Sequence, residues 1–224
     1  MSMYWILFIG IAVASYLVQS NLKRKFEVYS RQPCPYSGKE VAEMMLRAHG
    51  IYDVRVISTS GRLTDHYNPT DKTVNLSEDV YASYSVAAAA VAAHECGHAV
   101  QHACAYGPLK MRSALVPAVS FASSWMQWIL LIGIFTIQTF PQIMLGGIIL
   151  FAMTTLFSFI TLPVEINASM RATRWLRQAD LVSPSSYPMA VDALRSAAYT
   201  YVVAALSSLA TLVYYVSIFL GRRD

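Results

Sequence analysis

Charged residues are absent from three long segments, and these segments predict membrane-spanning helices. They are residues 1–22, 113–164 and 196–220. The middle segment has 52 residues, and as one helix it would measure about two and a half bilayer cores. It therefore predicts a hairpin of two spans with a turn at residues 138–142. About four transmembrane helices are expected in total.

Residues 23–112 contain most of the polar positions and predict a small domain that contains helix and strand. Alternating, β-branched runs indicate strands, and a serine followed three residues later by glutamate indicates a capped helix start. The predicted elements are a helix from Ser37 to His49 with Glu40 in its capping box, a strand at 53–59, a turn at 68–71, a second strand at 73–76 and a helix at 85–106.

The segment 85–106 predicts a buried helix, because it is rich in alanine and almost free of charge. Ser83 or Ser85 can cap its start, and Gly107-Pro108 is expected to end it. After the hairpin, residues 165–195 predict a further helical segment that begins at Glu165. The predicted fold class is thus a mainly α membrane protein with a small α+β domain.

Composition agrees with this fold class. The chain is 55% hydrophobic and 13% charged, with a mean hydropathy of +0.41, which is more apolar than an ordinary soluble domain. The lipid bilayer is therefore an expected partner. No pattern of interleaved aromatic and basic residues indicates binding to nucleic acid.

The basic residues predict the orientation in the membrane. Of 17 lysines and arginines, 11 lie in residues 23–112 and 4 in residues 171–195, and the hairpin turn contains none. Because basic segments stay on the cytoplasmic side, the N-terminus is expected outside and the polar domain inside, at a prokaryotic cell membrane. Residues 23–25, all basic, follow the first apolar segment, which fits an uncleaved anchor better than a signal peptide.

The sequence His94-Glu95-Cys96-Gly97-His98 lies in the predicted buried helix and has the form HExxH. Two histidines four residues apart project from one helical face, so both imidazoles can bind one zinc ion. Glu95 is then placed to accept a proton from water at the metal. Cys96 points away from this face and is interpreted as a packing residue. The alternative is a buried core helix with two hydrogen-bonded histidines.

A catalytic zinc usually has a third protein ligand, and two residues are candidates. His102 follows His94 by eight residues, two helical turns away, so three side chains in a row would not easily enclose a tetrahedral ion. It is expected to line the cleft or to support a ligand. Glu165 is the first charged residue after the hairpin and can reach the metal from a second helix. The alternative for Glu165 is a carboxylate that marks the end of a span.

These residues resemble a known family. His94-Glu95-x-x-His98 with a later Glu165-x-x-Ala168 is similar to the membrane-integrated gluzincins, the HtpX and CAAX prenyl protease group. The closer resemblance is to the YugP-type neutral zinc metallopeptidases, and it rests on Leu63-Thr64-Asp65-His66-Tyr67, Ala93 to Ala99 with Gln101, Leu162 to Glu165, and Ala168-Ser169-x-Arg171-Ala172.

The resemblance implies a zincin-like domain in which zinc is bound by His94, His98 and Glu165, with Glu95 as the general base. The wider gluzincin group has aspartate where this chain has Ser169, as a support for the first histidine. Asn167 is a possible substitute for that support.

Two further residues are catalytic candidates. His66 lies in a region that predicts a turn, and its functional interpretation is a donor that stabilises the oxyanion. Its alternative is a residue of a surface turn. Arg171 follows Glu165 by one and a half helical turns, so it can orient a carboxylate or polarise the substrate.

The sequence therefore predicts a membrane-bound zinc metalloendopeptidase that cleaves peptides or membrane-protein segments near the bilayer surface. The alternative is a non-enzymatic membrane adaptor or chaperone-like scaffold with a structural metal, whose site would be closed by four protein ligands. Protein partners are not predicted by any feature of the sequence.

Overall fold

The computed structural model describes residues 3–221. The predicted first span begins at residue 1, so its first two residues lie outside the described residues. The elements, in chain order, are α1 (Met3–Ser30), α2 (Gly38–Ala48), β1 (Arg55–Thr59), β2 (His66–Asn68), β3 (Thr73–Ser77), α3 (Glu78–Tyr81), α4 (Val86–Ala103), α5 (Gly107–Thr136), α6 (Pro141–Gln178) and α7 (Tyr187–Gly221).

Four of these helices are long and apolar enough to cross a membrane: α1, α5, α6 and α7. Helices α5 and α6 form the predicted hairpin, and the chain reverses between Thr136 and Pro141. A small cluster of Leu130, Met144 and Ile148 packs the two helices together. The predicted fold class, a mainly α membrane protein with a small region of helix and sheet, is confirmed.

The expectation that a separate helix begins at Glu165 is wrong. Helix α6 continues through Pro163 and Glu165 as one helix of 38 residues. At 1.5 Å per residue it is about 57 Å long, roughly twice the thickness of a bilayer core. The uncharged run marks only the part of α6 suited to lipid, and the same helix extends beyond that part with Glu165 on it.

The polar domain contains a three-stranded sheet in the order β1-β3-β2, with β1 parallel and β2 antiparallel to β3. The sequence predicts two of these strands, β1 and β3, and misses β2. The region of His66 is a strand and not the expected turn, because it pairs with β3 and because Asp65 accepts a hydrogen bond from the Ser77 backbone at 2.7 Å. The predicted capping box of α2 is confirmed: Ser37 and Glu40 each bond the other's backbone.

Helix α4 lies at the centre of the molecule and packs against α2, α6 and α7. Ser85 caps its start by accepting a hydrogen bond from the Ala88 backbone. Its alanine-rich first half is buried, because small side chains let neighbouring helices approach on every side. Gly107 and Pro108 do not end this helix. They begin α5, after α4 has ended at Ala103.

Candidate metal centre

Helices α4 and α6 bring three side chains together that can bind a metal. His94, His98 and Glu165 each present a ligand atom, and these atoms lie within 4.8 Å of one another. Glu165 Oε2 is 3.3 Å from His94 Nε2 and 3.5 Å from His98 Nε2. His98 and Glu165 are buried and His94 is nearly so. The structure therefore places Glu165 with the two histidines of the motif, and His102 apart from them.

The other ring nitrogen of each histidine has a partner outside the cluster. His98 Nδ1 is 3.0 Å from Gln101 Oε1, and His94 Nδ1 is 3.1 Å from Ser169 Oγ. Hydrogen bonds of this kind orient an imidazole and leave Nε2 free for a metal. Two imidazole nitrogens and a carboxylate oxygen are also the ligand set that zinc accepts in catalytic sites, so the residues present fit a zinc ion.

The residue that supports His94 is Ser169 and not Asn167, the possible substitute considered above. Ser169 itself contacts His94, although the gluzincin pattern has aspartate there. Asn167 does not take over this role. Its side-chain oxygen instead accepts hydrogen bonds from Gln101 and Arg171.

Arg112 is a site residue that the sequence analysis missed. Its Nη1 donates to Glu165 Oε1 at 3.1 Å, so the two carboxylate oxygens of Glu165 face an arginine on one side and the histidines on the other. Arg112 lies in the second turn of α5, where a basic residue next to an apolar segment is read as a membrane-topology signal. No local sequence pattern indicates that it contacts Glu165.

A cleft of about 580 Å³ opens beside the three side chains. Among the residues that line it are Glu95, His66, Tyr67, His102, Arg112 and Tyr201. The Tyr67 hydroxyl is 2.8 Å from His102 Nδ1. This contact links β2 to the end of α4 in the wall of the cleft. Tyr201 belongs to α7 and was also missed by the sequence analysis, since it lies within an apolar segment.

The two further catalytic candidates differ in their placement. His66 lines the cleft, and its Nδ1 lies 2.7 Å from the Thr64 carbonyl oxygen. Arg171 is not among the residues that line the cleft. Its Nε donates to Asn167 Oδ1 at 2.8 Å, and the arginine that contacts Glu165 is Arg112.

Burial and charge set the protonation of two residues on α4. Burial alone would lower the pKa of His98, but the neighbouring carboxylates of Glu165 and Glu95 outweigh it and raise that pKa above its usual value. Burial, with a smaller effect of Glu95, raises the pKa of the Cys96 thiol well above its usual value. Cys96 Sγ contacts the Ala42 carbonyl on α2, so this residue packs against α2 as a neutral thiol.

Comparisons with known proteins agree with this geometry. Residues 4–220 match the model of a family described as "Putative neutral zinc metallopeptidase". The chain is 42% identical over 224 residues to a Bacillus subtilis (strain 168) protein named "Putative membrane protease YugP", and the match covers 97% of this chain and 99% of that protein. No solved structure matches the chain.

Proposed function

This chain belongs to the family described as "Putative neutral zinc metallopeptidase", and on that premise we propose that it is a membrane-bound zinc metalloendopeptidase. The observation that carries the proposal is the convergence of His94, His98 and Glu165 beside a cleft that also contains Glu95. Three protein ligands with an open side are typical of a catalytic zinc site.

In the proposed mechanism His94, His98 and Glu165 hold the zinc ion, and Glu95 is the general base. A zinc ion held there would act as a Lewis acid, which would polarise the scissile carbonyl and lower the pKa of water. The Glu95 carboxylate accepts a proton from the attacking water and passes it to the nitrogen of the leaving amine. Arg112 holds Glu165 Oε1, so that Oε2 stays directed at the two histidines.

Negative charge on the substrate oxygen requires a hydrogen-bond donor, and His66 is our candidate. Its Nδ1 is directed at the Thr64 carbonyl and therefore carries a proton. Its Nε2 can donate to a substrate only when the ring is doubly protonated. Tyr201 lines the same cleft, and because a neutral tyrosine hydroxyl can donate without that condition, it is a second candidate for this role.

The substrates we propose are peptide segments close to the membrane surface, including segments of membrane proteins. Arg112 and Glu165 both belong to helices that are long and apolar enough to span the bilayer, so the cleft is close to its surface. Strand β2 is an edge strand next to α4, and the edge of a sheet can pair with an extended peptide. By the distribution of basic residues, the cleft faces the cytoplasm.

A structural metal in a non-enzymatic scaffold would need a fourth protein ligand. The sequence candidate for it, His102, contacts the hydroxyl of Tyr67 instead. The open cleft beside the three donors favours the peptidase over the scaffold.

Metal analysis of two alanine variants tests the ligand assignment. Purified protein is expected to contain about one zinc per chain, and Glu165→Ala is expected to lose most of it because one of three ligands is gone. His102→Ala is the matched control and should retain zinc. An empty site in His102→Ala together with a filled site in Glu165→Ala would overturn the assignment.

A further inference from the structure

We propose that Gln101, Asn167 and Arg171 are positioning residues that fix the tautomer of His98 and so prepare it to bind zinc. The inference rests on the proposed function, because it concerns one of the proposed zinc ligands. It assigns to Arg171 an indirect role, in place of the direct contact with a carboxylate or substrate that its position in sequence suggested.

Gln101 is held in one orientation by its surroundings. The residue is fully buried on α4, and its Nε2 donates to the Val164 carbonyl at 2.8 Å and to Asn167 Oδ1 at 3.0 Å. Both hydrogens of the amide are therefore used on α6. The remaining atom, Oε1, faces His98 Nδ1 at 3.0 Å and can only accept.

Arg171 determines the direction of this chain of hydrogen bonds. Its Nε lies 2.8 Å from Asn167 Oδ1, and a guanidinium has donors but no acceptor. The Asn167 atom that faces Arg171 must therefore be the oxygen, and the same oxygen faces the amide nitrogen of Gln101. A rotated amide in either Asn167 or Gln101 would place two donors or two acceptors against each other.

The consequence is that His98 Nδ1 carries a proton and donates it to Gln101. In the neutral ring the lone pair is then on Nε2, which is the nitrogen directed at Glu165 Oε2 and available to zinc. Without Gln101, the neutral ring would favour a proton on Nε2, donated to the Glu165 carboxylate, and zinc would have to displace it. His94 lacks this control, because the Ser169 hydroxyl can either donate or accept.

Zinc affinity, measured by competition with a chelator on the full-length protein, tests the role of Asn167. Asn167→Leu removes the oxygen that Gln101 and Arg171 share, and zinc affinity is expected to fall about 10–100-fold. Asn167→Asp keeps an oxygen that accepts both bonds, so its affinity should stay near that of the wild type. Asn167 is only partly buried, so both variants are expected to fold.

The same measurement on Gln101→Leu should show a loss of similar size. Gln178→Leu, at an exposed position on α6, is the control. Wild-type affinity in Asn167→Leu, or an equal loss in Asn167→Leu and Asn167→Asp, would overturn the inference and leave the proposed function standing. A wild-type protein that binds no zinc would overturn both.

A second measurement does not require metal. Nitrogen NMR of metal-free protein with labelled histidines, at alkaline pH where imidazole is neutral, reports which nitrogen of His98 carries the proton. The wild type is expected to show a proton on Nδ1, and Asn167→Leu should shift it towards Nε2. A wild-type His98 with its proton on Nε2 would contradict the inference whatever the zinc affinities are.

Discussion

At the scale of single residues, the buried carboxylate of Glu165 is the group on which the site depends most. It has the two histidines on one side and the Arg112 guanidinium on the other. A buried carboxylate without a positive partner is strongly unfavourable. In protein without metal, the Arg112 guanidinium is a partner of Glu165 that is always charged.

Replacement of Arg112 should therefore reduce the stability of the metal-free protein more than that of the zinc-loaded protein. Arg112→Met is expected to lose about 1.5–3 kcal/mol without metal, the range for hydrogen bonds to a charged group. The loss should be near the lower end, because the Arg112 side chain is 32% exposed. Thermal unfolding with and without zinc measures the difference, and Arg112→Lys, which retains the charge, is the control. Equal losses with and without zinc would contradict this role of Arg112.

The sequence predicted part of this site and missed the rest for a physical reason. His94, Glu95 and His98 lie on one helix, so their relative positions follow from helical geometry. Glu165 was indicated first by its position after a long uncharged run and then by the resemblance to a family, and the structure places it with the histidines. Arg112 and Gln101 act through contacts with residues more than 50 positions away in the chain, and no local pattern encodes such contacts.

At the scale of secondary-structure elements, the distance between α4 and α6 determines whether the site can form. The two helices approach closely at Gly97, where a Cβ atom would be 2.6 Å from the Ala168 carbonyl oxygen. That oxygen belongs to the backbone of α6, so relief of the clash requires one helix to move. Glu165 and Ser169 lie on the same stretch of α6 and would move with it.

Gly97→Ala is expected to destabilise the protein by about 1–3 kcal/mol, as overpacked cores do, and to weaken zinc binding as well. Gly146→Ala is the matched control, because nothing lies within 4 Å of a Cβ atom there. Thermal unfolding and zinc titration of the two variants provide the comparison. If Gly97→Ala matched the control in both, the close approach of the helices would be unimportant.

Sequence patterns predicted most elements but not how far they extend. The capping box at Ser37 and the alanine-rich run of α4 are local signals, and both helices are present. Strand β2 has three residues and forms because β3 lies beside it, which a short polar sequence does not reveal. The continuity of α6 was missed because the end of the uncharged run at residue 164 was interpreted as the end of a helix.

At the scale of the whole molecule, the orientation in the membrane determines which proteins can be substrates. We propose that the cleft faces the cytoplasm, because 15 of the 17 basic residues lie in residues 23–112 and 171–195. The turn between α5 and α6 would then be outside. The proposed orientation applies to all four candidate membrane spans, α1, α5, α6 and α7.

Cysteine labelling in intact cells tests the orientation. In a Cys104→Ser background, which removes the exposed native thiol, single cysteines at Gly61 and Ser185 should be protected from an impermeant reagent. A cysteine at Thr139 should react. Reaction at Gly61 would invert the topology, and the substrates would then be secreted or surface proteins.

The most direct test of the central claim is the activity of Glu95→Gln. The full-length, zinc-loaded protein in detergent would be assayed with unfolded casein, and its zinc content would be measured in the same preparation. The account predicts that Glu95→Gln retains zinc like the wild type but hydrolyses casein about 10²–10⁴-fold more slowly, because the general base is lost and the ligands are not. Hydrolysis by Glu95→Gln at the wild-type rate would contradict the proposed peptidase mechanism.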